Sequence, residues 1–68
     1  MQEMVKDINY RYDIHSDNYE LYYLGDDFKV HTYKKYSLSR GGMCLILLDI
    51  RELVTQGFRY NPYLTYNN

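Results

Sequence analysis

Residues 8–15, Ile8-Asn9-Tyr10-Arg11-Tyr12-Asp13-Ile14-His15, alternate apolar and polar positions without a break. Successive side chains of an extended chain point to opposite faces, so this alternation predicts a half-buried strand. Ser16-Asp17-Asn18 supplies turn chemistry. Residues 19–24 then read as a second strand, with Leu21 and Tyr23 facing one way and Glu20 and Tyr22 the other. After a further turn signal, Gly25-Asp26-Asp27, residues 28–36 give a third strand. Its pattern places Phe28 and Val30 inward and Lys29, His31, Tyr33 and Lys35 outward. Two short connections imply antiparallel neighbours, hence a three-stranded meander whose edges are the first and third strands.

The period changes after Ser37–Gly42. Met43, Ile46, Leu47, Ile50, Leu53 and Val54 recur three and four residues apart, the spacing of one helical face. A helix over about 42–56 follows, with Ser39 as candidate N-cap and Gly57 as the C-terminal stop, Phe58 packing back in a Schellman motif. The short run Met43–Leu48 also suits a buried fourth strand, but the helical period persists through Gln56. Residues 58–68 form a tail in which Pro62 bars helix continuation. The expected fold is α+β, β-β-β-α in one domain over residues 1–68, with one helix across one face of the sheet and an ordered, tyrosine-rich tail. The expected core sets Ile8, Tyr10, Tyr12, Ile14, Leu21, Tyr23, Phe28 and Val30 against the helical stripe.

Composition sharpens this picture. A 68-residue chain buries only about 60% of the surface it exposes when unfolded, so its core is marginal. Cys44 is the single cysteine, which rules out an internal disulfide and, within an apolar run, reads as a buried small hydrophobe in a reducing compartment. The start Met1-Gln2-Glu3-Met4 lacks an apolar leader, and no apolar run approaches the ~20 residues of a membrane helix. A cytoplasmic protein is expected. The net charge is −1, yet residues 1–28 carry seven acids against two bases and residues 29–68 six bases against two acids. Such a split produces a steering dipole only if the fold keeps the two halves apart.

Few residues offer chemistry. Asp13, His15 and His31 are the nearest approach to a metal or acid–base cluster, but the second strand lies between the two histidines and metal sites need converging ligands. Ser39-Arg40-Gly41-Gly42 lacks the spacing and lysine of a phosphate loop. No catalytic residue, metal or cofactor is expected, and no stretch carries a motif of a known family.

Ten tyrosines are the outlier. A ring with a polar tip suits half-buried strands and also wet interfaces. Three surfaces are candidates for a partner. The open sheet face would display Arg11, Tyr22, His31, Tyr33 and Lys35, tyrosines and bases that also suit single-stranded nucleic acid, although Asn9, Asp13 and Glu20 share that face. The back of the helix carries Cys44, Leu45 and Leu48, to be covered by Tyr60, Tyr63 and Leu64 of the tail, by a second copy in a homodimer, or by a partner. The edge at Tyr10 and Tyr12 is open to strand addition. The binding residues expected are therefore Arg11, Tyr22, His31, Tyr33, Lys35, Leu45, Leu48, Tyr60, Tyr63 and Tyr66. Small tyrosine-, asparagine- and aspartate-rich chains of this kind are common among phage and mobile-element accessory proteins, anti-CRISPR inhibitors included. The leading expectation is a non-enzymatic module that occludes a surface on a larger host protein or nucleoprotein, with nucleic acid or self-assembly as alternatives.

Overall fold

A computed structural model describes residues 5–66 of the chain. The start Met1–Met4 and the last two tail residues, Asn67 and Asn68, lie outside the described residues. The elements run β1 (Asp7–Asp13), β2 (Asn18–Leu24), β3 (Val30–Ser37), a 3₁₀ turn (Leu38–Arg40), α1 (Gly42–Thr55) and β4 (Arg59–Tyr60). The sheet order is β3-β2-β1-β4, antiparallel except for the parallel pair β1–β4. The three-stranded meander and its single C-terminal helix are as expected. The fourth strand is new, and it removes β1 from the sheet edge at Asp7 and Ile8.

Antiparallel pairing sets Ile8 opposite Tyr23, Tyr10 opposite Leu21 and Tyr12 opposite Tyr19 on the face toward α1. Ile8, Leu21 and Tyr36 meet Ile46, Ile50 and Leu53 there, with Tyr10, Tyr19, Tyr23 and Phe58 around them. Fully burying a branched aliphatic side chain contributes about 1.5–3 kcal/mol, so Ile8, Leu21 and Ile46, the most enclosed, dominate this small core. Several expected core residues are not in it. Ile14 lies past the end of β1 in the turn and is exposed, as are Tyr12 and Phe28. Met43, Leu47 and Val54 flank the buried helical stripe and are only partly covered.

A bulge in β3 accounts for a further correction. Leu21 pairs with Lys34 but Tyr22 pairs with Thr32, so Tyr33 is an extra residue. An inserted residue reverses which face the following side chains take. Hence Lys34 and Tyr36 share the helix side with His31, while Val30 and Thr32 lie on the opposite side with Tyr22. Val30 is buried, but not under the helix.

Helix α1 ends as its residues dictate. The Phe58 amide donates to Leu53 O and the Gly57 amide to Val54 O, the paired bonds of a Schellman motif, with Gly57 at φ 111 where a side chain is disfavoured. The start differs from expectation: Ser39 sits in the 3₁₀ turn bonded to Ser37, and Gly41 is the N-cap without a side-chain bond. Gly42 brings the helix against β3 so closely that a Cβ there would lie 2.7 Å from Ser37 O.

Tyr36 ties helix to sheet, its hydroxyl donating to Asp49 Oδ2 at 2.6 Å. Burial and the adjacent carboxylate push its phenol far above the ordinary range, and burial does the same, to a smaller extent, for Tyr22. A raised phenol pKa favours the neutral form in the folded chain. That stability is whole below about pH 10, the ordinary phenol value, and is lost as pH rises beyond it. Tyr36→Phe is expected to cost about 1.5 kcal/mol at neutral pH and to flatten the alkaline fall. Urea midpoints at pH 7 and above pH 10 check this; equal alkaline slopes in both proteins would refute it.

Candidate protein-binding surfaces

The path of the tail decides which surfaces are free. After Gly57 the chain runs along the β1 edge, where the Arg59 amide donates to Lys6 O and the Asn61 amide to Ile8 O. Asp7 fixes this segment, accepting from Arg59 Nε at 2.8 Å and from Asn61 Nδ2 at 3.0 Å. Asn61-Pro62-Tyr63-Leu64 then forms a turn closed by the Leu64 amide on Asn61 O, with Pro62 at the position where its fixed φ is an asset. The turn carries the chain from the sheet edge onto the face opposite α1.

There the tail is latched. Leu64 O accepts from Asn9 Nδ2 at 2.8 Å and from the Tyr22 hydroxyl at 2.6 Å. The Tyr66 ring meets Tyr22 edge-on and lies beneath the Arg11 guanidinium, 4.6 Å from its centroid. Arg11 also binds Glu20 Oε1 at 2.8 Å, and Thr32 donates to Glu20 Oε2 at 2.6 Å. No buried side-chain polar atom among the described residues lacks a partner.

The expected sites are thus redistributed. Tyr22 is buried under the tail and Arg11 is engaged with Glu20 and Tyr66, so the open, base-stacking face does not exist in that form. Lys35 remains exposed on that side opposite Glu20. His31 stands on the other face against the Tyr23 ring, bonded to Asp27, whose carboxyl this contact holds below the usual range. Tyr33 protrudes at the bulge, half exposed. Tyr60 stacks on Tyr10 at the β4 edge, which extends through Tyr19 to Tyr12 as a row of four rings. Tyr63 and Tyr66, three residues apart, have opposite fates: the Tyr63 side chain is exposed and Tyr66 is packed.

Charges also interleave. Arg59 pairs with Asp7 and Lys35 stands opposite Glu20, joining the basic and acidic parts of the chain. A dipole along the sequence therefore does not become two separated surfaces. Asp13 serves the β1–β2 turn, accepting from the His15 amide and the Ser16 hydroxyl, which lowers its pKa. Among the described residues no three of His, Cys, Asp and Glu gather as a metal would require.

Two surfaces are left uncovered by the described residues. The first is the back of α1, where Cys44, Leu45, Leu47 and Leu48 are all exposed. Cys44 is therefore not the buried hydrophobe expected, and the described part of the tail does not cover it.

The second surface was not legible in the alternation of residues. Phe28 occupies the last position of the β2–β3 turn at φ 62 with 88% of its surface exposed. The bonds Phe28 N to Gly25 O and Gly25 N to Lys29 O define a three-residue hairpin loop, a tight turn followed by a left-handed residue. That last position favours glycine or asparagine, and a bulky residue there is an outlier. Asp27 holds the loop by accepting from the Lys29 amide. Tyr63, likewise 88% exposed, stands with Phe28 around a groove of about 560 Å³ that Leu24, Val30 and Leu64 floor. Reading Gly25-Asp26-Asp27-Phe28 as one loop would have found the site; the apolar character of Phe28 drew it into the strand instead.

No protein-family model, curated protein or solved structure matches the chain. The fold defines a small α+β domain, and its functional reading rests on these surfaces.

Proposed function

We propose that the chain is a non-enzymatic binding domain that occludes a surface on a larger protein or nucleoprotein, with the Phe28–Tyr63 groove as its contact. The observation that carries this reading is Phe28, a bulky aromatic in the left-handed region, unpacked at a turn tip. Local strain of about 1–3 kcal/mol that brings no folding contact is commonly associated with function. Exposed aromatic side chains are also the usual anchors of protein interfaces. Phe28 and Tyr63 would close around an apolar side chain of the partner, with Asp7, Lys29 and Asn61 as the polar rim. The reading extends to a cytoplasmic inhibitor of the phage and mobile-element type, supported by small size and the two uncovered surfaces. Nucleic acid is the less favoured partner because Tyr22 and Arg11 are occupied by the tail.

The test is capture from host lysate on the immobilised chain, quantified by mass spectrometry. Wild type is expected to enrich a larger protein that Phe28→Ala/Tyr63→Ala loses and that Lys35→Ala retains. Capture unchanged by the double substitution would overturn the reading, as would enrichment of nucleic acid alone.

A further inference from the structure

The polar groups that line the Phe28–Tyr63 groove are unequally engaged. Its carboxylate, Asp7, is already balanced: Oδ1 accepts from Arg59 Nε at 2.8 Å, and Oδ2 accepts from Asn61 Nδ2 at 3.0 Å. Asn61 is engaged at both ends, since its Oδ1 also accepts from the Tyr63 amide at 3.0 Å. Among the described residues, the lining side chains left without a hydrogen bond or ion pair are polar at the Lys29 ammonium and the hydroxyls of Tyr63 and Thr65, all exposed. All three groups donate, and an ammonium can only donate. The rim of the groove therefore carries one uncompensated positive charge and no uncompensated carboxylate. Asp26 lines a separate, smaller cavity that Phe28 also borders, in the company of Lys6 and Arg59.

We propose that the groove receives an apolar side chain from an acidic peptide segment, with a carboxylate beside that anchor pairing with Lys29. The inference rests on the reading of this groove as the partner contact and names the chemistry of the partner. Leu24, Val30 and Leu64 give the groove an apolar floor, and its volume of about 560 Å³ lies within the ~300–1,000 Å³ of ligand pockets. Such a floor suits an aliphatic or aromatic side chain. A nucleic-acid base buried there would leave its ring nitrogens and exocyclic groups without partners. One lysine is also fewer than the row of bases that tracks a phosphate backbone.

Charge complementarity at a rim selects among partners more than it adds affinity. Phe28 and Tyr63 supply the anchoring contact, and Lys29 decides which flanking residues are accepted. A basic segment would set like charges side by side at Lys29, and a neutral one would draw nothing from it. An exposed ion pair of this kind is worth up to about fivefold in binding, and reversing its sign should reverse the preference. The preference should fade as salt is added, because the pair is solvent-screened. Lys29 contributes its backbone amide and carbonyl to the β2–β3 turn, so its side chain can be changed while those bonds stay.

The test is a titration of the full chain, followed by amide NMR shifts at low salt. The probes are short synthetic peptides with one central Leu, Ile, Met or Phe and flanks that are all Glu, all Ser or all Lys. Glu-flanked peptides should shift the amides of Phe28, Lys29, Tyr63 and Leu64 and bind about fivefold tighter than Ser-flanked ones. Lys29→Gln should level the two, and Lys29→Glu should favour the Lys-flanked peptides instead. Ser-flanked peptides that bind as well as Glu-flanked ones, with both lost in Phe28→Ala/Tyr63→Ala, overturn this inference and leave the groove as the contact. Binding that survives that double substitution overturns both. The acidic inference also falls if no Glu-flanked peptide binds at millimolar concentration, or if an oligothymidylate binds the groove more tightly. In those two cases lysate capture still judges the groove by itself.

Discussion

Replacing Arg11 by alanine should destabilise the domain by about 2–3 kcal/mol, a large part of the 5 kcal/mol or so at the lower end for small domains. Glu20 is only 3% exposed, and its carboxylate is held by Arg11 and Thr32. Removing the guanidinium leaves a buried negative charge with one hydroxyl donor. Breaking a fully buried pair costs about 3–5 kcal/mol, and the 40% exposure of the Arg11 side chain places this one lower. Loss of the Arg11–Tyr66 contact also loosens the tail over Tyr22.

Glu20→Gln should cost less, about 1 kcal/mol, because its amide oxygen still accepts a hydrogen bond and no charge is stranded. The double variant Arg11→Ala/Glu20→Gln should consequently be more stable than Arg11→Ala alone. Urea midpoints of the three variants decide the matter. An Arg11→Ala change within the ~0.5 kcal/mol of an ordinary surface substitution would show that the pair does not hold the tail face together.

Phe28→Gly should raise stability by about 0.5–1 kcal/mol while weakening partner capture more than tenfold. The left-handed conformation at φ 62 costs a side chain about 1–2 kcal/mol, and glycine adopts it freely. Against that stands the greater freedom of glycine in the unfolded chain, which returns part of the gain. With 88% of Phe28 exposed, almost no burial is lost by removing it. A residue kept for packing would respond in the opposite sense. Phe28→Gly that destabilises the fold, or that stabilises it and leaves capture intact, would remove Phe28 from the binding surface.

The sheet and helix were legible because their determinants are local and periodic. Alternation from Ile8 to Asp13 places Ile8 and Tyr10 on the helix side and Asn9 and Arg11 on the other, as found. The three-and-four spacing through Ile46, Ile50 and Leu53, with Gly57 and Phe58 closing it, marks a helix that ends in a Schellman motif. The exposed Leu45 and Leu48 follow from the same wheel. Misplaced residues lie where periodicity stops carrying information. The bulge at Tyr33 inserts one residue and puts His31 on the same face as Lys34, where a regular strand would hold them on opposite faces, with nothing in the apolar pattern to announce it. Phe28 and Ile14 are apolar residues in turns, where backbone closure overrides hydrophobicity.

The sequence by itself determined the α+β architecture, the approximate helix boundaries and the presence of apolar residues on the back of α1. Only the tertiary structure decided which face of the sheet the tail covers. That choice depends on contacts distant in sequence: Asp7 with Arg59 and Asn61, then Asn9 and Tyr22 with Leu64 O. Each is an ordinary polar contact that no local pattern specifies. Together they close one candidate surface, shape the Phe28–Tyr63 groove beside it and leave the helix back open, because one short tail cannot cover both faces of the domain.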